Sequence, residues 1–173
     1  RSLESFEEAA RILEESASPT DQLPLTARTA AGFLMGRVGD VEGSREALDN
    51  ALEASEAAFG PDSVAVSDVL LFSGNLHFDS GQVEEAGRDW ERAVAIRRVI
   101  YGPEHQQYAF AIVDLARYFR VTEQLEEARR LADSAIEIFE RTYGPDHPAL
   151  ANALGSQGAT LRSMEDYEGA IHN

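Results

Sequence analysis

Many apolar residues between Ser63 and Tyr101 lie three or four positions apart, a broadly helical pattern that places side chains on one face of an α-helix. The pattern is interrupted once, at Ser80-Gly81-Gln82. The apolar positions before this break are Val66, Val69, Leu70, Leu76 and Phe78. Those after it are Val83, Ala86, Trp90, Ala93, Val94 and Val99, with charged residues between them. The stretch therefore predicts two successive amphipathic helices that pack against each other.

A Gly-Pro-Asp/Glu tripeptide recurs at Gly60, Gly102 and Gly144, with an interval of 42 residues each time. Glycine readily ends a helix and proline does not continue one, so each tripeptide predicts a linker between helices. We expect N-capping acceptors beside these linkers, at Asp62, Ser63, Glu104 and Asp146. The same reasoning predicts further helices near 2–17, 24–38, 41–58, 105–120, 124–142 and 147–163, with another that begins at Asp166.

A second motif repeats with the same period, at Val41, Val83, Leu125 and Tyr167, and glutamate follows each of them. A fixed period of this length is typical of stacked helical repeats rather than of one globular core. We therefore predict an all-α fold, an α-solenoid of stacked antiparallel helix pairs. The predicted single array covers 1–173, with a second helix of a preceding repeat at 1–17, repeats at 24–59, 62–101 and 104–143, and a partial repeat at 146–173. Because both ends interrupt a repeat, we expect a fragment of a larger multidomain protein.

The small and large residues of each pair resemble the tetratricopeptide repeat. The corresponding residues are Gly32, Ser44, Leu48 and Ala51 in the first unit, Gly74, Ala86, Trp90 and Ala93 in the second, and Ala116, Ala128, Ala132 and Ala135 in the third. Ala132 stands where the pattern has a large residue, so the packing of the third unit should differ locally. The 42-residue length and the Tyr-Gly-Pro-Asp-His linker resemble the kinesin light-chain-type subclass. The resemblance implies a superhelix whose concave face, lined by the first helix of each pair, binds a protein or peptide segment.

The net charge of −16 narrows the range of partners. Binding to phosphates needs clustered cations, so this charge argues against nucleic acid and against anionic membrane surfaces. All 15 basic residues are arginine, and the chain has no cysteine. The absence of cysteine fits a reducing compartment, and we expect a cytoplasmic location. No apolar run is long enough to suggest a membrane span.

The family's groove positions, carried over to this sequence, give a set of candidate peptide-binding residues. They are Arg37, Asn75, Phe78, Phe110, Arg117, Arg120, Asn152 and Arg162. The positions carried over from the family also include Val113, Gly155 and Ala159, which have apolar or no side chains. The four arginines would form a basic stripe on an acidic protein, which favours an acidic peptide or a free C-terminal carboxylate as ligand. Two alternatives remain open at this point: the arginines pair with Asp and Glu on the helix surface, and the phenylalanines are buried between helices.

The remaining candidate chemistry is explained better by the repeat than by catalysis. His105 and His147 occupy equivalent linker positions and are expected to cap helices, whereas His77 and Trp90 are expected to be packed. Acidic pairs such as Glu84-Glu85 lie where helices start, and carboxylates there are stabilised by the helix dipole. We therefore predict no enzyme activity, no cofactor and no metal. The alternatives to a peptide-binding scaffold are an intramolecular regulatory module of a bacterial signalling protein and a homo-oligomer formed through exposed repeat ends.

Overall fold

The computed structural model describes residues 22–37 and 39–171, and every regular element in these ranges is an α-helix. The helices are α1 (Gln22–Arg37), α2 (Val41–Phe59), α3 (Val64–Asp79), α4 (Val83–Tyr101), α5 (Gln106–Val121), α6 (Leu125–Tyr143) and α7 (Ala149–Ile171). The predicted all-α class is therefore confirmed, and the helix ends lie close to those expected. The helix predicted over 2–17 lies outside the described residues.

The Gly-Pro linkers end helices as the sequence predicts. The backbone φ angle is 85° at Gly60 and 86° at both Gly102 and Gly144, a region that glycine enters without a steric penalty. The ψ angle of Gly60 is 161°, an extended value that suits a residue in front of proline. Each linker therefore stops one helix and leads the chain into the next.

Of the carboxylate and hydroxyl acceptors predicted beside the three linkers, only Ser63 caps a helix. Ser63 caps α3, where its side chain accepts a hydrogen bond from the backbone N–H of Val66. At the next linker the acceptor is the Nδ1 atom of His105, 3.1 Å from the backbone nitrogen of Gln107, and not Glu104. Glu104 lies one residue too early and pairs instead with Arg141.

The third linker repeats the histidine arrangement. The Nδ1 atom of His147, and not Asp146, accepts a hydrogen bond from the backbone N–H of Ala149, at 3.1 Å. The His147 ring also stacks on Tyr143, with ring centroids 4.1 Å apart, as His105 stacks on Tyr101 at 4.7 Å. The predicted local capping by both linker histidines is thus confirmed.

The chain forms two compact units, Arg1–Ile96 and Arg97–Asn173. In the described part of the first unit, α2 packs against α1 and α3, and α1 also touches α3. Trp90 of α4 is fully buried in this unit, with its ring centroid 5.4 Å from that of Phe78. Its predicted core position is confirmed.

The second unit shows the same packing order, in which α6 packs against α5 and α7, and α5 touches α7. Ala132 is fully buried, although it is small. A few residues further along α6, the buried ring of Phe139 lies with its centroid 4.8 Å from that of Phe110. A large apolar residue therefore enters this core from a different position, so the packing differs locally, as predicted.

The last helix departs from the expected break. The sequence predicts a turn after residue 163, but α7 runs without interruption from Ala149 to Ile171. In the preceding repeats, the turn between the two helices of a pair contains one residue with a positive φ angle. These residues are Gly39, Gly81 and Glu123, and each lies 42 residues after the one before. The next equivalent residue is Glu165, which lies within α7, whereas Glu123, of the same residue type, has a positive φ angle at its turn. The residue type at this position therefore does not explain why the helix continues.

Candidate functional site

A cavity of about 380 Å³ lies between α5 and α7 of the second unit. One wall is formed by Val113, Asp114, Arg117 and Arg120 of α5, and the other by Asn152, Gly155, Ser156 and Ala159 of α7. On each helix these residues are spaced by one, three or four positions, so they share one face. The cavity is thus built from the first helices of two consecutive pairs, the helices that the family resemblance assigns to ligand binding.

Two polar groups in the cavity have no hydrogen-bond partner among the described residues. They are the Nε atom of Arg120 and the Oγ atom of Ser156, and both atoms are buried. Buried polar atoms are paired in most proteins, because leaving one unpaired costs about 1–3 kcal/mol. The exposed amide of Asn152 adds further hydrogen-bonding capacity at the rim. The cavity can therefore donate several hydrogen bonds to a ligand.

The charges in the cavity are two arginines and one carboxyl group. The Nη1 atom of Arg117 is 3.6 Å from the Oδ1 atom of Asp114. Burial raises the pKa of Asp114 to about 6, although Arg117 and Arg97 act in the opposite direction. Arg97 is itself buried and donates a hydrogen bond to the backbone carbonyl of Gln107, at 2.9 Å. With Asp114 ionised the two arginines leave one excess positive charge, and with Asp114 neutral they leave two.

Three of the eight predicted site residues line this cavity together: Arg117, Arg120 and Asn152. Phe110 and Arg162 lie on the same two helices but do not line it. The side chain of Phe110 is 37% exposed and packs against Phe139. Arg162 is exposed near the middle of α7. The side chain of Arg37, at the end of α1, lies outside the described part of the chain.

The other two predicted residues belong to the first unit. Asn75 is half-buried, and its Nδ2 atom donates to the carbonyl of Leu71 at 2.9 Å. Phe78 is half-buried and packs against Trp90. Nearby, the Nδ1 atom of His77 is 2.8 Å from Asp89, so this histidine is packed and hydrogen-bonded, as expected. Ligand binding by the eight candidate residues stays a prediction.

Sequence reasoning missed two residues of the cavity, Asp114 and Ser156. They follow Val113 and Gly155 directly, and they occupy equivalent positions in consecutive repeats, 42 residues apart. The groove positions carried over from the family do not include this column. The sequence does hold a signal for Asp114 and Ser156, because both are polar, both follow a predicted groove position, and they occupy the same position in consecutive repeats.

The described ranges hold no group of three or more His, Asp or Glu side chains arranged to bind a metal ion. None of the helices in these ranges is both long enough and apolar enough to cross a membrane.

Comparison with known proteins gives one family and a shared fold. A family model of the tetratricopeptide repeat matches residues 66–132 and 113–173. No curated protein matches the sequence significantly. A solved structure from Podosopora anserina, described as a kinesin light chain with nearly identical TPR-like repeats, has a TM-score of 0.70 at 18% identity, over 98% of this chain and 81% of that chain. BtubC (BKLC) from P. vanneervenii has a TM-score of 0.77 at 20% identity, over 95% of this chain and 65% of that chain.

These findings agree with the resemblance seen in the sequence. At identities this low, the likeness to the two structures shows the fold alone, and the first of the two is described as having TPR-like repeats. The two family-model matches overlap and together cover more than half of the chain. The predicted relationship and fold class are confirmed: this chain belongs to the tetratricopeptide repeat family.

Proposed function

We propose that this chain is a non-enzymatic scaffold that binds an acidic peptide segment, with a carboxylate of the peptide held in the cavity between α5 and α7. Tetratricopeptide repeats generally serve protein interactions. The two arginines of the cavity favour a partner segment that carries a carboxylate over a neutral segment. The proposal includes a cytoplasmic location, with which the absence of cysteine is compatible.

The observation that carries the proposal is the unpaired Nε–H group of Arg120 beside Arg117. A guanidinium group presents its N–H donors in a planar fork that matches the two oxygens of a carboxylate. Ser156 and Asn152 stand on the opposite wall and add neutral donors. A carboxylate in the cavity would therefore meet two guanidinium groups, and the buried Nε–H group of Arg120 and the buried Oγ atom of Ser156 lack other partners among the described residues.

A set of four fluorescent decapeptides tests this preference by fluorescence anisotropy. Two alternate glycine with glutamate and two alternate glycine with glutamine, and each sequence is made with a free and with an amidated C-terminus. We expect the glutamate peptides, or the peptides with a free C-terminus, to bind more tightly than the neutral amidated peptide. The four combinations separate recognition of side-chain carboxylates from recognition of the terminal carboxylate.

Arg120→Gln assigns the binding to the cavity. A hydrogen bond to a charged group contributes about 1.5–3 kcal/mol, so the substitution should weaken binding by roughly 10- to 100-fold. Arg129→Gln is the matched control, because it removes the same charge from α6 at a side chain that is half-exposed and does not line the cavity. Equal losses in the two variants, or binding of all four peptides with the same affinity, would contradict the proposal.

A further inference from the structure

Asp114 is an unexpected residue in a cavity suited to anions. Its carboxyl group lines the same space as Arg117 and Arg120, and its Oδ1 atom is 3.6 Å from the Nη1 atom of Arg117. The Asp114 side chain is 25% exposed, so part of the group faces the space that a ligand would enter. An arriving carboxylate would therefore meet a carboxylate of the protein next to the arginines.

The charged groups that act on Asp114 come from two helices. Arg117 lies one turn further along α5, and Arg97 approaches from α4. The residues of α7 that line the cavity are all neutral, and α6 contributes none. On α6, Asp133 pairs with Arg129 and accepts a hydrogen bond from Gln157, so this carboxylate is engaged elsewhere. Nothing among these described neighbours neutralises a second anion placed beside Asp114 except the same arginines.

We propose that Asp114 competes with the ligand for the arginines of the cavity, so that an anionic group enters together with one proton, which binds to the Asp114 carboxyl group. This inference rests on the proposed function of the cavity. Two carboxylates that share a small site repel each other, and the repulsion is relieved when one of them takes up a proton. The proton comes from the solvent, binds to Asp114 as the ligand arrives, and returns to the solvent when the ligand leaves.

Protonation of Asp114 changes the cavity in two ways that favour an anion. It removes the negative charge that faces Arg117, and it gives the carboxyl group an O–H donor that can point at the ligand. Burial already raises the pKa of Asp114 to about 6, so the proton is accessible near neutral pH. The cavity would thus bind anions more tightly in mildly acidic solution.

The expected size of the effect follows from the linkage between binding and protonation. If only the protonated form binds, the affinity follows the protonated fraction, which falls from about one half at pH 6 to roughly one hundredth at pH 8. The dissociation constant should then rise by up to about 50-fold between these pH values. Ligand carboxylates stay ionised throughout this range, so their own titration does not contribute.

Isothermal titration calorimetry with the glutamate decapeptide tests the inference directly. The titrations are run near neutral pH in HEPES and in Tris, two buffers whose ionisation enthalpies differ, which yields the number of protons taken up on binding without adding phosphate, an anion that would compete for the cavity. We expect about one proton for the wild type and almost none for Asp114→Asn, which should also bind with little pH dependence between pH 6 and 8. The variant keeps all four histidines, so any pH dependence that remains in it belongs to other groups.

Nuclear magnetic resonance of the arginine Nε–H groups separates the failure of this inference from the failure of the proposed function. If the decapeptide shifts the Arg120 signal but no proton is taken up, the cavity binds anions and Asp114 is not a competitor, so only the inference is overturned. If the peptide leaves the Arg120 signal unchanged at pH 6 and at pH 8, the cavity does not bind the anion, and both the proposed function and this inference are overturned. Circular dichroism of Asp114→Asn confirms that the variant is folded before its binding is compared.

Discussion

Gly74 of α3 and Trp90 of α4 form the contact in the first unit whose energetics the structure defines best. A Cβ atom on residue 74 would lie 2.6 Å from Cδ1 and 2.9 Å from Cε2 of the indole, and closer still to Nε1. Trp90 is fully buried, so the ring has little room to withdraw. Gly74→Ala should therefore strain this contact, even though alanine favours a helix by about 1 kcal/mol over glycine.

The magnitude follows from two opposing terms. Overpacking a filled core costs about 1–3 kcal/mol, and these three close contacts point to the upper part of that range. After the helix-propensity gain is subtracted, we expect Gly74→Ala to lower the free energy of unfolding by about 1–2 kcal/mol. Trp90→Ala should lower it by about 3–5 kcal/mol, because it leaves a cavity the size of the indole.

A double-mutant cycle removes the ambiguity between strain and other effects. In the Trp90→Ala background the clash is gone, so Gly74→Ala should raise the free energy of unfolding by up to about 1 kcal/mol instead of lowering it. The coupling energy between the two substitutions is then about 2–3 kcal/mol. The third repeat already contains this combination, since Ala116 and Ala132 are the equivalents of residues 74 and 90.

Urea denaturation followed by far-UV circular dichroism measures the cycle, because the signal does not depend on Trp90, the only tryptophan of the chain. Gly155→Ala is the control, since a Cβ atom there meets nothing within 4 Å and should stabilise α7 by up to about 1 kcal/mol. Additive effects of Gly74→Ala and Trp90→Ala would refute the argument that the glycine is needed to accommodate the indole.

Two further predictions concern single side chains of the second unit. Burial raises the pKa of Asp114 from its ordinary value of 3.8 to about 6. As the pH rises, the Asp114 carboxyl group therefore ionises at a lower pH in the unfolded chain than in the folded chain, and it lowers the free energy of unfolding increasingly up to about pH 6. Asp114→Asn should consequently be more stable than the wild type at pH 8 by up to about 3 kcal/mol. In urea titrations this advantage should vanish below about pH 3, where the carboxyl group is neutral in both states, and an advantage that does not depend on pH would contradict the assigned cause. His105→Ala removes the cap of α5 and should lower the free energy of unfolding by about 0.5–2 kcal/mol. His105→Asn should keep most of the stability of the wild type, because asparagine also caps helices. Equal melting temperatures for the wild type and His105→Ala would show that the ring does not act as a cap.

The fold is predictable because its signal is repeated. The 42-residue period places the linkers, and glycine followed by proline ends a helix for local reasons that do not depend on tertiary packing. The face of each first helix is predictable for the same reason, since helical spacing places Val113, Arg117 and Arg120 in one column. Three predicted site residues consequently line one cavity.

The details that sequence reasoning missed depend on which side chain reaches a partner. Glu104 and His105 are both able to cap α5, and stacking of the ring on Tyr101 accompanies the choice of His105. No pattern in the sequence indicates that Asp114 faces Arg117 while Arg120 lacks a partner for its Nε–H group among the described residues. Such pairings are decided by rotamers and burial, which periodicity does not encode.

The overall charge and the cavity would act on the proposed acidic ligand in opposite directions. The net charge of −16 repels such a ligand at long range, although salt screens exposed charges beyond about 8 Å under physiological conditions. Attraction must therefore come from groups that the ligand touches, and a buried arginine is screened far less than an exposed one. Arg117 and Arg120 line the cavity from one column of α5; the side chain of Arg117 is 32% exposed and the Nε atom of Arg120 is buried, so both are partly shielded from the solvent. A partner would consequently be selected by how well its carboxylate fits the cavity, and the acidic surface would disfavour acidic segments that do not fit.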